Sequence, residues 1–177
     1  MFSIRLLYVK YSVSTAMLGE NNSKCAFTLF FRFIETLEML MNYSRSDSLK
    51  GILKTLNQES RHINQLHIEL MENLRSAMDS YLSACTHGLT LNLRKQARIG
   101  DVFLAMKDKL LIYAPFIVHC QSADKKIREL ENIDLGVKED IERLQVLLKC
   151  EMDRTQNPSL PPSFNSLVNF PMQHVLR

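Results

Sequence analysis

Helix-breaking residues are scarce in this chain: only five glycines and five prolines occur among 177 residues. Sandwiches and barrels need turn residues at short intervals, so this scarcity argues against both classes. The four cysteines lie 30 to 60 residues apart and form no CxxC pair. That spacing excludes a zinc ribbon and is too sparse for a disulfide-stapled fold. We therefore expect four free thiols in a reducing compartment.

Charge of one sign and long apolar runs are also missing. The net charge is only +3, and no stripe of lysine and arginine interleaved with aromatic residues suggests a nucleic-acid partner. Arg5 and Lys10 interrupt the apolar N-terminus, which predicts neither a signal peptide nor an integral membrane segment. We expect a cytoplasmic protein.

Sites for covalent chemistry are not recognisable either. The sequence has no glycine-rich phosphate loop and no nucleophile signature. His62 and His67 are five residues apart, which is the wrong step for a shared metal site on one helix face. Cys120 follows His119, but no further ligand is in register with that pair. We predict no metal, no cofactor and no enzyme with covalent chemistry of its own.

Helical periodicity is what the sequence does contain. From Ser46 to Ser83 apolar residues recur in steps of three, four and seven, which predicts a long amphipathic helix. Ser46 or Asp47 could cap its start, and Gly88 is a plausible stop. The preceding segment, Cys25 to Tyr43, is apolar nearly all round. It fits a buried helix, a strand followed by a helix, or a segment foreign to the native chain.

Four shorter helices are predicted after a polar connector from Thr86 to Gly100. The first has its apolar face from Ile99 to Tyr113, and Pro115 should kink or break it. The others are marked by Ile127–Ile133, ended by Gly136; by Val137–Met152; and, after a loop over 153–162, by Phe164–Leu176 with Ser163 as cap. We predict an all-α, elongated helical bundle. Residues 25–177 would form one domain, and the structure of residues 1–24 stays open.

Three segments together resemble a known family. Residues 99–123 contain "IGDVFLAMKDKLLIYAPFI", residues 167–177 read "LVNFPMQHVLR", and residues 63–74 begin "INQL". They are similar, in the same order, to three helices of the Dbl-homology domain, and "PMQ.VL" is closest to the Vav group. The resemblance covers about Asn57 to Arg177, and it implies a domain truncated at its C-terminus, inside the signature helix.

The resemblance implies an exchange factor for Rho-, Rac- or Cdc42-type small GTPases. Such a factor binds the nucleotide-free GTPase better than the loaded form, and this difference in affinity drives nucleotide release. In the family a glutamate of the first conserved helix engages switch I; here Glu35 or Glu38 could be that residue. Gln173 and Arg177 match signature positions that face switch II, with arginine standing where the Vav group has lysine. His174 departs from the usual arginine.

The function expected from sequence is therefore a Rho-family exchange factor, weak or inactive in these 177 residues alone. The alternative is a non-catalytic helical interaction or scaffold protein derived from the same fold. A third hypothesis is an unrelated helical bundle that matches the family by chance.

Overall fold

The computed structural model describes the backbone of residues 20–86, 99–155 and 161–176, and the side chains of residues 30–80, 99–155 and 161–171. Within these ranges every regular element is a helix. In chain order they are α1 (Glu20–Tyr43), α2 (Asp47–Thr86), α3 (Ile99–Ala105), a 3-10 helix (Lys109–Ile112), α4 (Tyr113–Ile133), α5 (Leu135–Thr155) and α6 (Phe164–Leu176). The all-α prediction is confirmed.

α1 is one continuous helix, so the alternative of a strand followed by a helix is wrong. Phe33, Leu37 and Leu40 are fully buried at helical spacing, whereas Phe31 and Tyr43 are more than half exposed. The helix is therefore buried on one side and not all round. The apolar composition of the segment predicted burial nearly all round, but exposed aromatic residues are common on protein surfaces, so composition alone does not show burial.

α2 is the long helix that periodicity predicts, and its 40 residues span about 60 Å at 1.5 Å per residue. Ser46 is its cap: the hydroxyl Oγ accepts the Leu49 N–H at 3.3 Å, and the carbonyl accepts the Lys50 N–H at 2.9 Å. Gly88, the predicted stop, lies outside the described residues. One face is buried along most of the helix, through Leu49, Leu53, Leu56, Ile63, Leu66, Leu70 and Leu74.

The prediction of one helix from Ile99 to Tyr113 is wrong, because the structure divides this segment. The predicted apolar face is nevertheless the one that packs inward. α3 ends at Ala105, a turn covers 106–108, and a 3-10 helix leads into α4. Met106 and Tyr113 are nevertheless both buried, and Met106 contacts the Asn73 side chain of α2 at 3.5 Å. The segment thus packs on α2.

Pro115 does not kink the chain where the sequence suggests. It is the third residue of α4, in the first turn, where a backbone N–H has no intrahelical acceptor to lose. The interruption therefore falls upstream, at residues 106–108. α4 then continues unbroken to Ile133, so the segments before and after Cys120 belong to one helix.

Asp134 separates α4 from α5, and the predicted stop at Gly136 is wrong. The Asp134 backbone is extended, and its Oδ1 accepts the Gly136 N–H at 2.8 Å. Gly136 is thus the second residue of α5. An added Cβ there would lie 3.2 Å from Asp134 Oδ1, a tight contact, which gives a reason for glycine beside the cap.

Asp140 of α5 holds the joint between α1 and α2. Its buried Oδ2 accepts the Ser44 hydroxyl at 2.8 Å and the Arg45 and Ser46 N–H groups at 2.8 and 3.0 Å. Its Oδ1 accepts from Arg143 at 2.5 Å. Burial alone raises the pKa of the Asp140 carboxyl, but these hydrogen bonds outweigh it and hold that pKa below its ordinary value.

Candidate functional site

Two side chains define the start of α6, the helix that carries the "PMQHVL" sequence. Gln145 of α5 donates from Nε2 to the Pro162 carbonyl at 2.7 Å and accepts the Phe164 N–H on Oε1 at 2.6 Å. Ser163 Oγ accepts the Ser166 N–H at 3.1 Å, which confirms the predicted cap. Pro162 and the first turn of α6 are therefore tied to α5 by hydrogen bonds.

The body of α6 is packed into the core. Phe164, Leu167 and Val168 are no more than 1% exposed, and Asn169 Nδ2 donates to Asp124 Oδ1 of α4 at 2.8 Å. Pro171 lies in the helix interior, where it has no N–H to offer the Leu167 carbonyl, which weakens the helix at this point.

α1 and α6 meet through an aromatic pair. The ring centroids of Phe33 and Phe170 are 5.3 Å apart with the planes inclined by 33°. Both rings are buried, with Phe170 5% exposed. Phe170 directly precedes the "PMQHVL" sequence. The contact therefore brings together the helix with the candidate glutamates and the helix with the signature.

Glu35 lies on the solvent side of α1. Its nearest charged partner is Arg32, one turn earlier, whose guanidinium nitrogen is 3.5 Å from Oε2. Both side chains are about half exposed, and an exposed pair at that distance contributes little to stability. The Glu35 carboxylate is thus available to an incoming partner.

Glu38 is bound to α2 instead. Arg61 donates to Glu38 Oε2 at 2.6 Å, and the same guanidinium donates to Asn57 Oδ1 at 2.9 Å. Asn57 in turn donates to the Ile34 carbonyl of α1 at 3.0 Å. Glu38 is therefore one end of a chain of hydrogen bonds that fastens α1 to α2.

The two signature residues are only partly placed. The backbone at Gln173 is helical, but its side chain lies outside the described residues, and Arg177 lies outside them altogether. The side chains of Met172, Val175 and Leu176 also lie outside the described residues. The part of the site that is described consists of α1 and the first half of α6.

The remaining titratable residues of the core are structural. The ring of His67 lies between Phe30 and Tyr113, each at 5.6 Å between centroids, and burial lowers its pKa to about 4. Burial, followed by the nearby charge of Glu59, raises the pKa of the Cys120 thiol to about 12, so that it is a poor nucleophile. Across the described ranges no group of three or more histidine, cysteine, aspartate or glutamate side chains could hold a metal ion. Nor does any helix there combine the length and apolarity needed to cross a bilayer.

Comparison with known proteins identifies the family. The RhoGEF domain model matches residues 31–177, which includes all six helices apart from the beginning of α1. The chain therefore belongs to the RhoGEF domain family, also called Dbl-homology, whose members catalyse nucleotide exchange on Rho-family GTPases without covalent chemistry of their own. No curated protein and no solved structure matches the chain.

Three residues that connect the helices are not predicted from the sequence: Arg61, Asn57 and Gln145. Each is a polar residue on a helix whose partner lies on a different helix or loop. Nothing in their local sequence distinguishes them from ordinary solvent-facing residues. Phe170 had a better signal, since it continues the spacing of Phe164 and Leu167 along α6.

Proposed function

We propose that this chain promotes nucleotide exchange on a Rho-, Rac- or Cdc42-type GTPase through the surface where α1 and α6 meet. The supporting observation is the Phe33–Phe170 contact in a chain that belongs to the RhoGEF domain family. A factor of this kind must hold the switch loops displaced, and it can do so only with a rigid surface. Buried aromatic packing between the two helices supplies that rigidity.

Glu35 is our first candidate for the contact with switch I. Its carboxylate is exposed and has only a 3.5 Å neighbour, whereas Glu38 already accepts a 2.6 Å hydrogen bond from Arg61. To bind a switch loop, Glu38 must first give up that bond. The Glu38–Arg61 pair is itself half exposed and so worth about 1 kcal/mol or less, which keeps Glu38 as the second candidate. Gln173 and Arg177 are the proposed contacts to switch II.

No proton transfer or covalent intermediate is needed for this reaction. The exchange factor lowers the population of the nucleotide-bound state because it binds the nucleotide-free GTPase more tightly than the loaded one. A carboxylate close to switch I and a cation close to switch II would act by displacing the loops that hold the phosphates and Mg²⁺.

The "PMQ.VL" sequence of residues 171–176 supports a position close to the Vav group. The absence of any recognisable targeting pattern supports action in the cytoplasm.

Release of a fluorescent mant-nucleotide from Rac-, Rho- and Cdc42-type GTPases tests the function directly. A second measurement, binding to the nucleotide-free and the loaded GTPase in parallel, detects the expected preference even where release is slow. We expect at least tenfold tighter binding to one nucleotide-free GTPase, and Glu35→Gln should reduce that preference. Equal binding to both nucleotide states would overturn the proposal.

Glu129→Gln is the matched control for Glu35→Gln. Glu129 is also an exposed helix carboxylate with a loose cationic neighbour, Lys125 at 3.7 Å, but it lies on α4. We expect this variant to bind the GTPase as the unchanged chain does. Equal losses from both substitutions would indicate a general effect of charge and not a site at Glu35.

The second candidate function is a helical scaffold without exchange activity. Ile133 and Leu135, on either side of the α4–α5 junction, are 84% and 70% exposed, and adjacent exposed apolar residues are typical of protein contacts. Failure to bind any GTPase in either nucleotide state by a folded chain would favour this function.

A further inference from the structure

A surface pocket of about 140 Å³ opens between α2 and the start of α4, away from α1 and α6. Its polar lining is Glu59, His62 and His119, and its apolar lining includes Ile63, Pro115 and Phe116. Glu59 is two residues from Asn57, which faces α1; at 100° per residue this places the two on roughly opposite sides of α2. The pocket is therefore separate from the proposed GTPase surface.

The Glu59 carboxylate is incompletely satisfied. Its Oε1 is within hydrogen-bond reach of His119 Nδ1. Its Oε2 is shielded from solvent and has no hydrogen-bond partner among the described residues. A shielded acceptor without a donor is unfavourable, and more so when it is charged. A ligand that brings an N–H donor and a positive charge would recover that cost.

The walls of the pocket fit the stem of such a ligand. Ile63 and Phe116 are almost fully buried and form apolar walls beside the carboxylate. The volume is close to that of an engineered protein cavity that holds benzene, about 150 Å³. A guanidinium or ammonium group on an alkyl chain matches both features, since arginine and lysine place an apolar stem behind a cationic head.

The rim indicates where that cation comes from. Leu111, in the 3-10 helix, and Val118, on α4, are 54% and 59% exposed and lie on either side of Pro115 along the chain. Pro115, between them, is both exposed and part of the lining. A free small cation would make no favourable contact with this apolar border. A protein segment with apolar residues on both sides of a basic one would cover it.

We propose that the α2–α4 pocket binds an arginine or lysine side chain of a protein partner, with Glu59 as the acceptor and Leu111 and Val118 as apolar contacts for the flanking residues. This surface gives the chain a second docking site, independent of the GTPase. The partner segment carries its basic residue between two apolar residues about one to two helical turns apart.

The test is a titration of the folded 177-residue chain with a blocked peptide of sequence Leu-Ala-Ala-Arg-Ala-Ala-Leu, followed by amide NMR shifts. We expect saturable shifts around residues 59–63 and 112–119. The same peptide with neutral citrulline in place of arginine should bind at least tenfold more weakly. No saturable shifts at millimolar peptide, or equal binding of the citrulline peptide, would overturn the proposal.

Two variants locate the site. Glu59→Gln removes a charge that lacks a full set of hydrogen bonds, so it should not unfold the chain. It should, however, weaken binding of the arginine peptide at least tenfold. Glu72→Gln, an exposed carboxylate elsewhere on α2, is the matched control and should have no effect. Unchanged affinity in Glu59→Gln would remove the basis of the proposal. Val118→Ser changes only an exposed rim residue and should weaken binding of the peptide severalfold without a change in fold.

The source of the cation is tested with methylguanidinium alone. We expect its affinity to be at least tenfold lower than that of the peptide, because it makes no contact with the rim. Equal affinity would mean that the pocket serves small cations and would overturn the protein-partner assignment. Zn²⁺ is the third probe: saturable binding of the metal that excludes the peptide and depends on His62 and His119 would make this a metal site and would also overturn the proposal.

Discussion

The rings of Phe33 and Phe170 pack against each other across the α1–α6 boundary, with centroids 5.3 Å apart and planes inclined by 33°. One residue is two positions before Glu35, and the other directly precedes the signature sequence. The aromatic pair is therefore one contact between the helix of the candidate switch I residue and the signature helix, which is also held by Gln145 and Asp124. Substitutions there should alter stability and GTPase binding together.

Phe33→Ala should destabilise the chain by about 3–5 kcal/mol, because it opens a cavity in the core. Phe31→Ala is the matched control: Phe31 is on the same helix but 51% exposed, so its loss should cost less than about 1 kcal/mol. Urea unfolding followed by circular dichroism measures both. Similar losses from the two variants would contradict the burial of Phe33 against α6.

Gln145→Ala should loosen the beginning of α6. The substitution removes the hydrogen bonds to the Pro162 carbonyl and the Phe164 N–H, at a cost of about 1–3 kcal/mol. Amide hydrogen exchange in residues 164–168 should become faster, while exchange in α2 changes little. Gln121→Ala, at an exposed position on α4, is the control and should leave α6 exchange unaltered.

Asp140→Asn should destabilise the α1–α2 joint by about 1.5–3 kcal/mol, since charge-assisted hydrogen bonds become neutral ones. The folded pKa of Asp140 lies below its unfolded value, so its contribution is complete above the unfolded pKa, near 4, and is lost as pH falls through the folded pKa. Acid unfolding profiles measure this. The variant should lose less stability than the unchanged chain below about pH 4. Glu139→Gln, at an exposed position beside it, should keep the original acid profile.

His67 should make the chain less stable in mild acid. Its folded pKa of about 4 lies below the unfolded value of 6.5, so the unfolded state binds the proton first. The contribution is complete above about pH 6.5 and is lost as pH falls toward 4, amounting to about 2 kcal/mol between pH 7 and pH 5. His67→Phe keeps an aromatic ring between Phe30 and Tyr113 and should remove most of this dependence. His62→Gln changes an exposed histidine and should retain it. The same slope in the His67→Phe variant would contradict the assignment to His67.

Much of the fold follows from local sequence. The apolar steps from Leu49 to Leu74 determine α2, because residues three and four apart share one helix face. Ser46 and Ser163 cap their helices through bonds to residues three positions later. The family is also present in local sequence, in the segments at 99–123 and 167–177. These features depend on neighbours within one turn, which the sequence displays directly.

Helix boundaries and the roles of the two glutamates depended on the tertiary structure. From its local sequence Pro115 could end a helix or begin one. In the structure it lies at the beginning of α4, where Met106 and Tyr113 pack on α2. Glu35 and Glu38 are equivalent by local pattern. Only Glu38 has Arg61 opposite it, on a different helix. The sequence by itself determined most of the helices and the family, whereas contacts between distant residues decided which carboxylate is held by another helix, because a side chain's partners depend on how the helices pack.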